Sequence, residues 1–269
     1  MRPSRAASAV LAALVLPWAA LVTAPSAGAA SGQAAAVRYA ALGDSYSAGV
    51  GAGGYLASSG DCRRSTRSYP YLWNASHTPA SFAFAACSGA TTDDVLERQL
   101  SALGPDTTLI SITIGGNDAG FSEVMSTCVL DTQSACLSAV AGARSFISGA
   151  LPARLDATYA AIRAKAPRAH VVVLGYPRMY RIGGLCLLGI GDTRRSAVNA
   201  AADDLAAVTA KRAADAGFTF VDVRGVFSGH EICSGASWLN SATLPVYESY
   251  HPNRTGQASG YLPSLASAA

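Results

Sequence analysis

Five short apolar runs, rich in β-branched residues, recur along the chain at Val37–Leu42, Ser81–Ala85, Leu109–Ile114, His170–Leu174 and Phe218–Val223. Each is nearly continuous rather than alternating, the pattern of strands buried on both faces. Between them the spacing of apolar positions turns helical, over Tyr69–Asn74, Thr92–Leu100, a long stretch around Ala139–Lys165, and Arg194–Ala216. This alternation predicts an α/β fold, a three-layer α/β/α sandwich around a central parallel sheet. Right-handed crossovers bring every strand's C-terminal end to one edge of that sheet, where ligands of open α/β sheets bind. Ser45, Gly89 and Asn117 all follow predicted strands, so three separated segments converge on one rim.

The amino-terminal pattern is of another kind. Arg2 and Arg5 precede the apolar stretch Leu11–Trp18, and the small-residue run Ala27-Gly28-Ala29-Ala30 follows. This reads as a secretory signal peptide over residues 1–30. Its apolar core is short and broken by Pro17, which argues against a membrane anchor. Residues 31–269 then form one domain, secreted and extracellular, with no later stretch apolar enough to span a bilayer. Loss of Arg2 and Arg5 lowers the formal charge from +3 to +1, so no basic excess points to nucleic acid as a partner. A monomer is expected.

All six cysteines, Cys62, Cys87, Cys128, Cys136, Cys186 and Cys233, lie beyond the signal segment, and disulfides are the expectation for an exported chain. Fifteen connectivities are open, and the order along the chain suggests nearest-neighbour pairing. No Cys-x-x-Cys or His-x-x-x-His spacing supports a metal site.

A serine hydroxyl becomes a nucleophile when a histidine takes its proton. Of the four histidines, His170 opens a strand, His77 lies at a polar helix end and His230 sits in a loop near Cys233; His251, in Ser249-Tyr250-His251-Pro252-Asn253, is the favoured base. Ser45 lies in Gly43-Asp44-Ser45-Tyr46, directly after the first strand. A tetrahedral oxyanion needs several donors aimed at one point, and the N–H of Ser45, the N–H of Gly89 and the Asn117 side-chain amide would supply them.

Gly-Asp-Ser-Tyr near the N-terminus, a glycine after the second strand, Gly-Gly-Asn-Asp after the third and a late histidine together resemble the four blocks of the SGNH subgroup of GDSL hydrolases, from about Val37 to the C-terminus. In detail the chain is similar to the secreted actinomycete lipases and esterases of that family. The resemblance implies a flavodoxin-like SGNH hydrolase fold, three sequential disulfides, Ser45 as nucleophile, His251 as general base, and an oxyanion hole of Ser45, Gly89 and Asn117. Asp118 is expected to fix loop geometry. Many relatives have an aspartate three residues before the histidine; here Glu248 stands there. Either Glu248 or the main-chain carbonyl of Ser249 could orient the ring, and the likeness to actinomycete dyad enzymes favours the carbonyl.

The expected activity is hydrolysis of carboxylic esters of fatty acids, by a lipase or carboxylesterase that needs no cofactor and meets an ester or lipid substrate, including at a lipid interface. Phospholipase A1 activity is the nearest alternative; a carbohydrate deacetylase and a non-catalytic secreted binding protein are more distant. The serine does not sit in Gly-x-Ser-x-Gly, which argues against the α/β-hydrolase fold. Tyr46, Leu56, Phe121 and the run Leu185–Ile190, including Leu187 and Leu188, are candidates for an acyl groove, with that run as a hypothetical wall.

Overall fold

The computed structural model describes residues 36–186 and 189–269, with a few isolated positions before them. The signal-peptide expectation therefore lies almost wholly outside the described residues, as do Leu187 and Leu188 of the expected acyl wall. The folded unit spans Ala36–Ala269.

Five strands, β1 (Arg38–Gly43), β2 (Ser81–Phe84), β3 (Leu109–Thr113), β4 (His170–Leu174) and β5 (Thr219–Val221), form one sheet in the order β2-β1-β3-β4-β5. Every pairing is parallel. All five lie within a residue or two of the apolar runs. The helices are α1 (Ser45–Ala48), α2 (Tyr69–His77), α3 (Thr92–Asp94), α4 (Phe121–Leu130), α5 (Gln133–Gly149), α6 (Leu151–Lys165), α7 (Asp192–Asp215) and α8 (Leu262–Ala266). Helices α4 to α7 pack against one another, as do α2 and α8, so two helical groups flank the sheet. One large cluster holds most of the core, with a small second one at Ala48, Val50 and Ala86; Ile110, Ile112, Val172 and Val173 are fully buried, as strands covered on both faces must be.

The strand order places the topological switch at β1, which pairs β2 on one side and β3 on the other. A crevice opens outside the carboxyl ends of strands at such a point. Two features depart from the sequence pattern. The single helical stretch expected over Ala139–Lys165 is two helices, interrupted at Ala150 with Pro152 in the first turn of α6, where its missing N–H costs nothing. Helix α4 was not expected, although Phe121, Val124, Met125 and Cys128 carry helical spacing.

The cysteines form three bridges, Cys62–Cys87, Cys128–Cys136 and Cys186–Cys233, with Cα separations of 4.1, 4.3 and 5.2 Å. The first ties the loop after α1 to the end of β2; the second joins α4 to α5; the third joins the loop after β4 to the segment leading to His251.

Candidate active site

The site begins at Gly43, the last residue of β1, whose φ is +115°. A Cβ there would lie 2.3 Å from the Thr113 carbonyl oxygen, so the approach of β1 to β3 requires glycine. The buried Gln99 side chain clamps the same residue, accepting from the Gly43 N–H at 2.7 Å and donating to its carbonyl at 2.9 Å. Asp44 follows as the N-cap of α1, accepting from the Tyr46 N–H at 3.0 Å and from Thr113 Oγ1 at 2.7 Å, with the Tyr176 hydroxyl donating to its second oxygen. Burial pushes the Asp44 carboxyl up to about 6 against the pull of these donors, so it is ionised at neutral pH. This cap starts α1 at Ser45 and leaves the Ser45 N–H, in the first turn, without an intrahelical partner.

His251 reaches Ser45 across the chain. Its Nε2 lies 2.8 Å from Ser45 Oγ, and its Nδ1 lies 2.8 Å from the Ser249 carbonyl oxygen. A carbonyl only accepts, so Nδ1 carries the proton and Nε2 is free to receive that of the serine. Burial lowers the imidazole pKa to about 4, offset in part by the Ser249 carbonyl, so the ring is a neutral base at ordinary pH. Glu248 does not touch the ring. Its carboxylate accepts from the Tyr55 hydroxyl at 2.6 Å, and that oxygen in turn accepts from the Gly51 N–H at 3.0 Å. The other histidines are occupied elsewhere: His77 stacks on Trp73, His230 stacks on Trp238, and His170 contacts the Ala268 carbonyl.

Of the residues expected to donate to an oxyanion, Ser45 and Asn117 line one cleft. Asn117 Nδ2 donates one hydrogen to the Ala90 carbonyl at 2.9 Å, which brings the amide beside Gly89 and leaves its second hydrogen free. Gly89 has φ +79°, the left-handed region in which glycine carries no steric penalty. The Asp118 side chain, fully buried, accepts from the Thr92 N–H at 3.0 Å and so locks the Asn117 loop to the start of α3. The Cys62–Cys87 bridge, with the Ser88 N–H donating to the Cys62 carbonyl at 3.1 Å, holds the Gly89 loop from the other side.

Sequence reasoning overlooked three side-chain amides, Gln99 and Gln257 buried and Asn240 partly buried. Besides Gln99, Gln257 accepts from the Tyr69 N–H at 2.9 Å and donates to the Tyr46 carbonyl at 3.0 Å, bracing α1 against α2. Asn240 donates to the Gly51 and Glu248 carbonyls at 3.0 and 3.2 Å, tying the loop after α1 to the histidine segment. Their signal in sequence is only that of isolated polar residues.

From Ser45 and Asn117 an apolar cleft of about 80 Å³ runs between α4, α5 and α7, lined by Phe121, Val124, Met125, Ile147, Ala202 and Leu205, with Tyr46 and Tyr176 near its mouth. Tyr46 and Phe121 stand where a groove was expected. Leu56 does not line this cleft; of the expected wall at Leu185–Ile190, Leu185 projects into solvent and Ile190 is buried in the core, while Leu187 and Leu188 lie outside the described residues. Helix α4, which the sequence reading did not expect, lines one side of the cleft.

The family model of the GDSL-like Lipase/Acylhydrolase family matches residues 41–258. The sequence is 58% identical over 268 residues to a lipase of Streptomyces rimosus, covering 100% of both chains. The crystal structure of the extracellular lipase from Streptomyces rimosus superposes with a TM-score of 0.85 at 61% identity, covering 87% of this chain and 100% of that one. The crystal structure of phospholipase A1 from Streptomyces albidoflavus NA297 gives 0.86 at 55% identity, with the same coverage. The chain belongs to the GDSL-like Lipase/Acylhydrolase family.

Proposed function

We propose that this protein is a secreted lipase or carboxylesterase that cleaves carboxylic esters of fatty acids through an acyl-enzyme on Ser45. The observation that carries the reading is the 2.8 Å contact between Ser45 Oγ and His251 Nε2 at the mouth of an apolar cleft. The Ser45 oxygen attacks the ester carbonyl as its proton passes to His251 Nε2. Charge that develops on the carbonyl oxygen is met by the N–H groups of Ser45 and Gly89 and by Asn117 Nδ2. Collapse expels the alcohol, which takes the proton from His251, and leaves the acyl chain on Ser45. Water, deprotonated by the same nitrogen, then releases the fatty acid. The Ser249 carbonyl orients and stabilises the imidazolium that forms transiently, so the pair works as a dyad. These groups complete the chemistry without a cofactor. Residues 1–30 act as the signal peptide and residues 31–269 as the hydrolase domain of a monomer; the three disulfides and the extracellular lipase relative support export.

A second reading, phospholipase A1, draws support from the Streptomyces albidoflavus relative and from a groove beyond Gly89 that carries two arginines. Arg64 and Arg98 line that groove, away from the apolar cleft, with Arg98 paired to Asp94 at 3.5 Å, so Arg64 is the cation there that a phosphate on the leaving group would meet first.

Hydrolysis of p-nitrophenyl esters from acetate to palmitate, with fatty-acid release from phosphatidylcholine alongside, tests both readings. Ser45→Ala should lose roughly 10⁴-fold or more in kcat/KM on every substrate hydrolysed. Turnover retained by that variant would overturn the mechanism, and preference for phosphatidylcholine over all simple esters would favour the phospholipase.

A further inference from the structure

The loop that delivers His251 is closed at its base by Asn240, whose N–H donates to the His251 carbonyl at 2.9 Å and whose carbonyl accepts from the Tyr250 N–H at 3.0 Å. Within it, the Thr243 N–H donates to Ser249 Oγ at 2.9 Å, and the N–H groups of Glu248 and Ser249 donate to the carbonyls of Pro245 and Val246 at 2.9 and 3.0 Å. Its tip nevertheless exposes large apolar side chains: Leu244 is 84% exposed, Val246 72% and Tyr247 40%. Loop tips of soluble proteins are usually polar, and a run of exposed apolar residues at one tip marks a contact surface. The internal hydrogen bonds, and the lack of an N–H on Pro245, let this backbone enter an apolar phase with few polar groups left unpaired.

Charge beside the tip narrows the contact. The Arg63 guanidinium lies 4.2 Å from the centroid of the Tyr247 ring, with Asp61 3.7 Å away and fully exposed. A cation over an aromatic ring beside exposed aliphatics suits the boundary of an anionic lipid aggregate, where acyl chains meet headgroups. The tip is also continuous with the chemistry, because Glu248 is tied to Tyr55 and Ser249 holds the His251 ring. Across the site, Ile182 and Leu185 are exposed on the loop after β4, at the same edge of the sheet.

We propose that Leu244, Val246 and Tyr247, with Arg63 beside them, dock the enzyme on the surface of aggregated anionic lipid, so that an ester chain passes from the aggregate into the cleft. This rests on the ester-hydrolase reading and names the surface on which that site works.

The test measures binding of the mature protein to vesicles of ether-linked phosphatidylcholine, with and without ether-linked phosphatidylglycerol, which offer a lipid surface but no ester to cleave. The Leu244→Ser/Val246→Ser double variant should bind about tenfold or more weakly and lose a similar factor on emulsified long-chain ester, with p-nitrophenyl acetate turnover at the wild-type level. Arg63→Gln should lose only the preference for vesicles with phosphatidylglycerol. Vesicle binding by the folded double variant equal to wild type, or loss of a dimer in place of vesicle binding, would overturn the docking surface. Should the double variant fail to fold, Leu244→Ser alone carries the same comparison. Absence of Ser45-dependent p-nitrophenyl acetate turnover would overturn the hydrolase reading, while vesicle binding would still decide the docking surface.

Discussion

The two flanks of the Ser45–His251 contact are built differently. Toward β3 and β4, helices α4, α5 and α7 form the acyl cleft from aliphatic, aromatic and methionine side chains. Toward the histidine, the loop after α1 and the segment from Asn240 to His251 are held by Asn240, by Tyr55 and Glu248, and by the Tyr46 hydroxyl, which donates to the Tyr250 carbonyl at 2.8 Å. The first flank supplies volume, which many combinations of apolar residues can fill. The second supplies position, which depends on a few directed hydrogen bonds. Substitutions on the cleft side should therefore alter which ester is preferred, and those on the histidine side should alter the rate on every ester.

The strongest test of that contrast is at the histidine. His251→Ala should lower kcat/KM by roughly 10⁴-fold across the p-nitrophenyl series, and wild-type kcat/KM should fall as pH drops through about 4, where the imidazole gains its proton. A limb near the ordinary histidine value would break the assignment of a buried neutral base. Asn117→Ala should cost about 10²–10³-fold in kcat on short and long esters alike, the effect of one oxyanion donor. A loss confined to long chains would move Asn117 into the cleft flank. Ala202→Phe, on the cleft wall, should lower kcat/KM for palmitate by about tenfold or more and leave acetate nearly unchanged. Equal losses would show that the cleft does not hold the chain.

Glu248→Ala should cost much less than His251→Ala, roughly tenfold or below, because the carboxylate acts on Tyr55 and Gly51 rather than on the ring. Tyr55→Phe should produce a similar or somewhat larger loss, because it also removes the acceptor of the Gly51 N–H, and the two should not add, since both remove the Tyr55–Glu248 hydrogen bond. A loss as large as that of the histidine variant would show that Glu248 completes a triad during turnover.

The smallest effect is on stability. His251 has a folded pKa near 4, below its ordinary 6.5, so its contribution is complete above pH 6.5 and is lost as pH falls toward 4. Asp44 is raised from 3.8 to about 6, so its contribution is complete below 3.8 and is lost as pH rises toward 6. The two oppose each other across pH 4 to 6. Relative to wild type, His251→Gln should therefore lose Tm as pH rises through that window; a constant difference would remove His251 from the balance.

The sheet was legible because buried parallel strands leave dense apolar runs, and the placement of Ser45, Gly89, Asn117 and His251 was legible because each stands in a short motif at a strand end or in a late loop. The acyl cleft was not. Helix α4 begins at Gly120 without a side-chain cap, so it lacks the usual start signal even though Phe121, Val124, Met125 and Cys128 repeat at helical spacing. The apolar character of Leu185–Ile190 could not distinguish the exposed Leu185 from the buried Ile190, because hydrophobicity reports preference and not neighbours. The partner of Glu248 was hidden for the same reason: Tyr55 lies 193 residues earlier and meets it only through the fold.

One consequence follows from the order of the strands. The three groups proposed as oxyanion donors come from segments after β1, β2 and β3, which are neighbours in the sheet. Their lateral spacing is thus built on the repeat between hydrogen-bonded strands, about 4.8 Å, a length written in the peptide backbone itself. Exchange of side chains in the cleft wall does not reset that ruler. Cleft walls and loop tips can be rebuilt by substitution, whereas the scale of the proposed oxyanion hole belongs to the sheet.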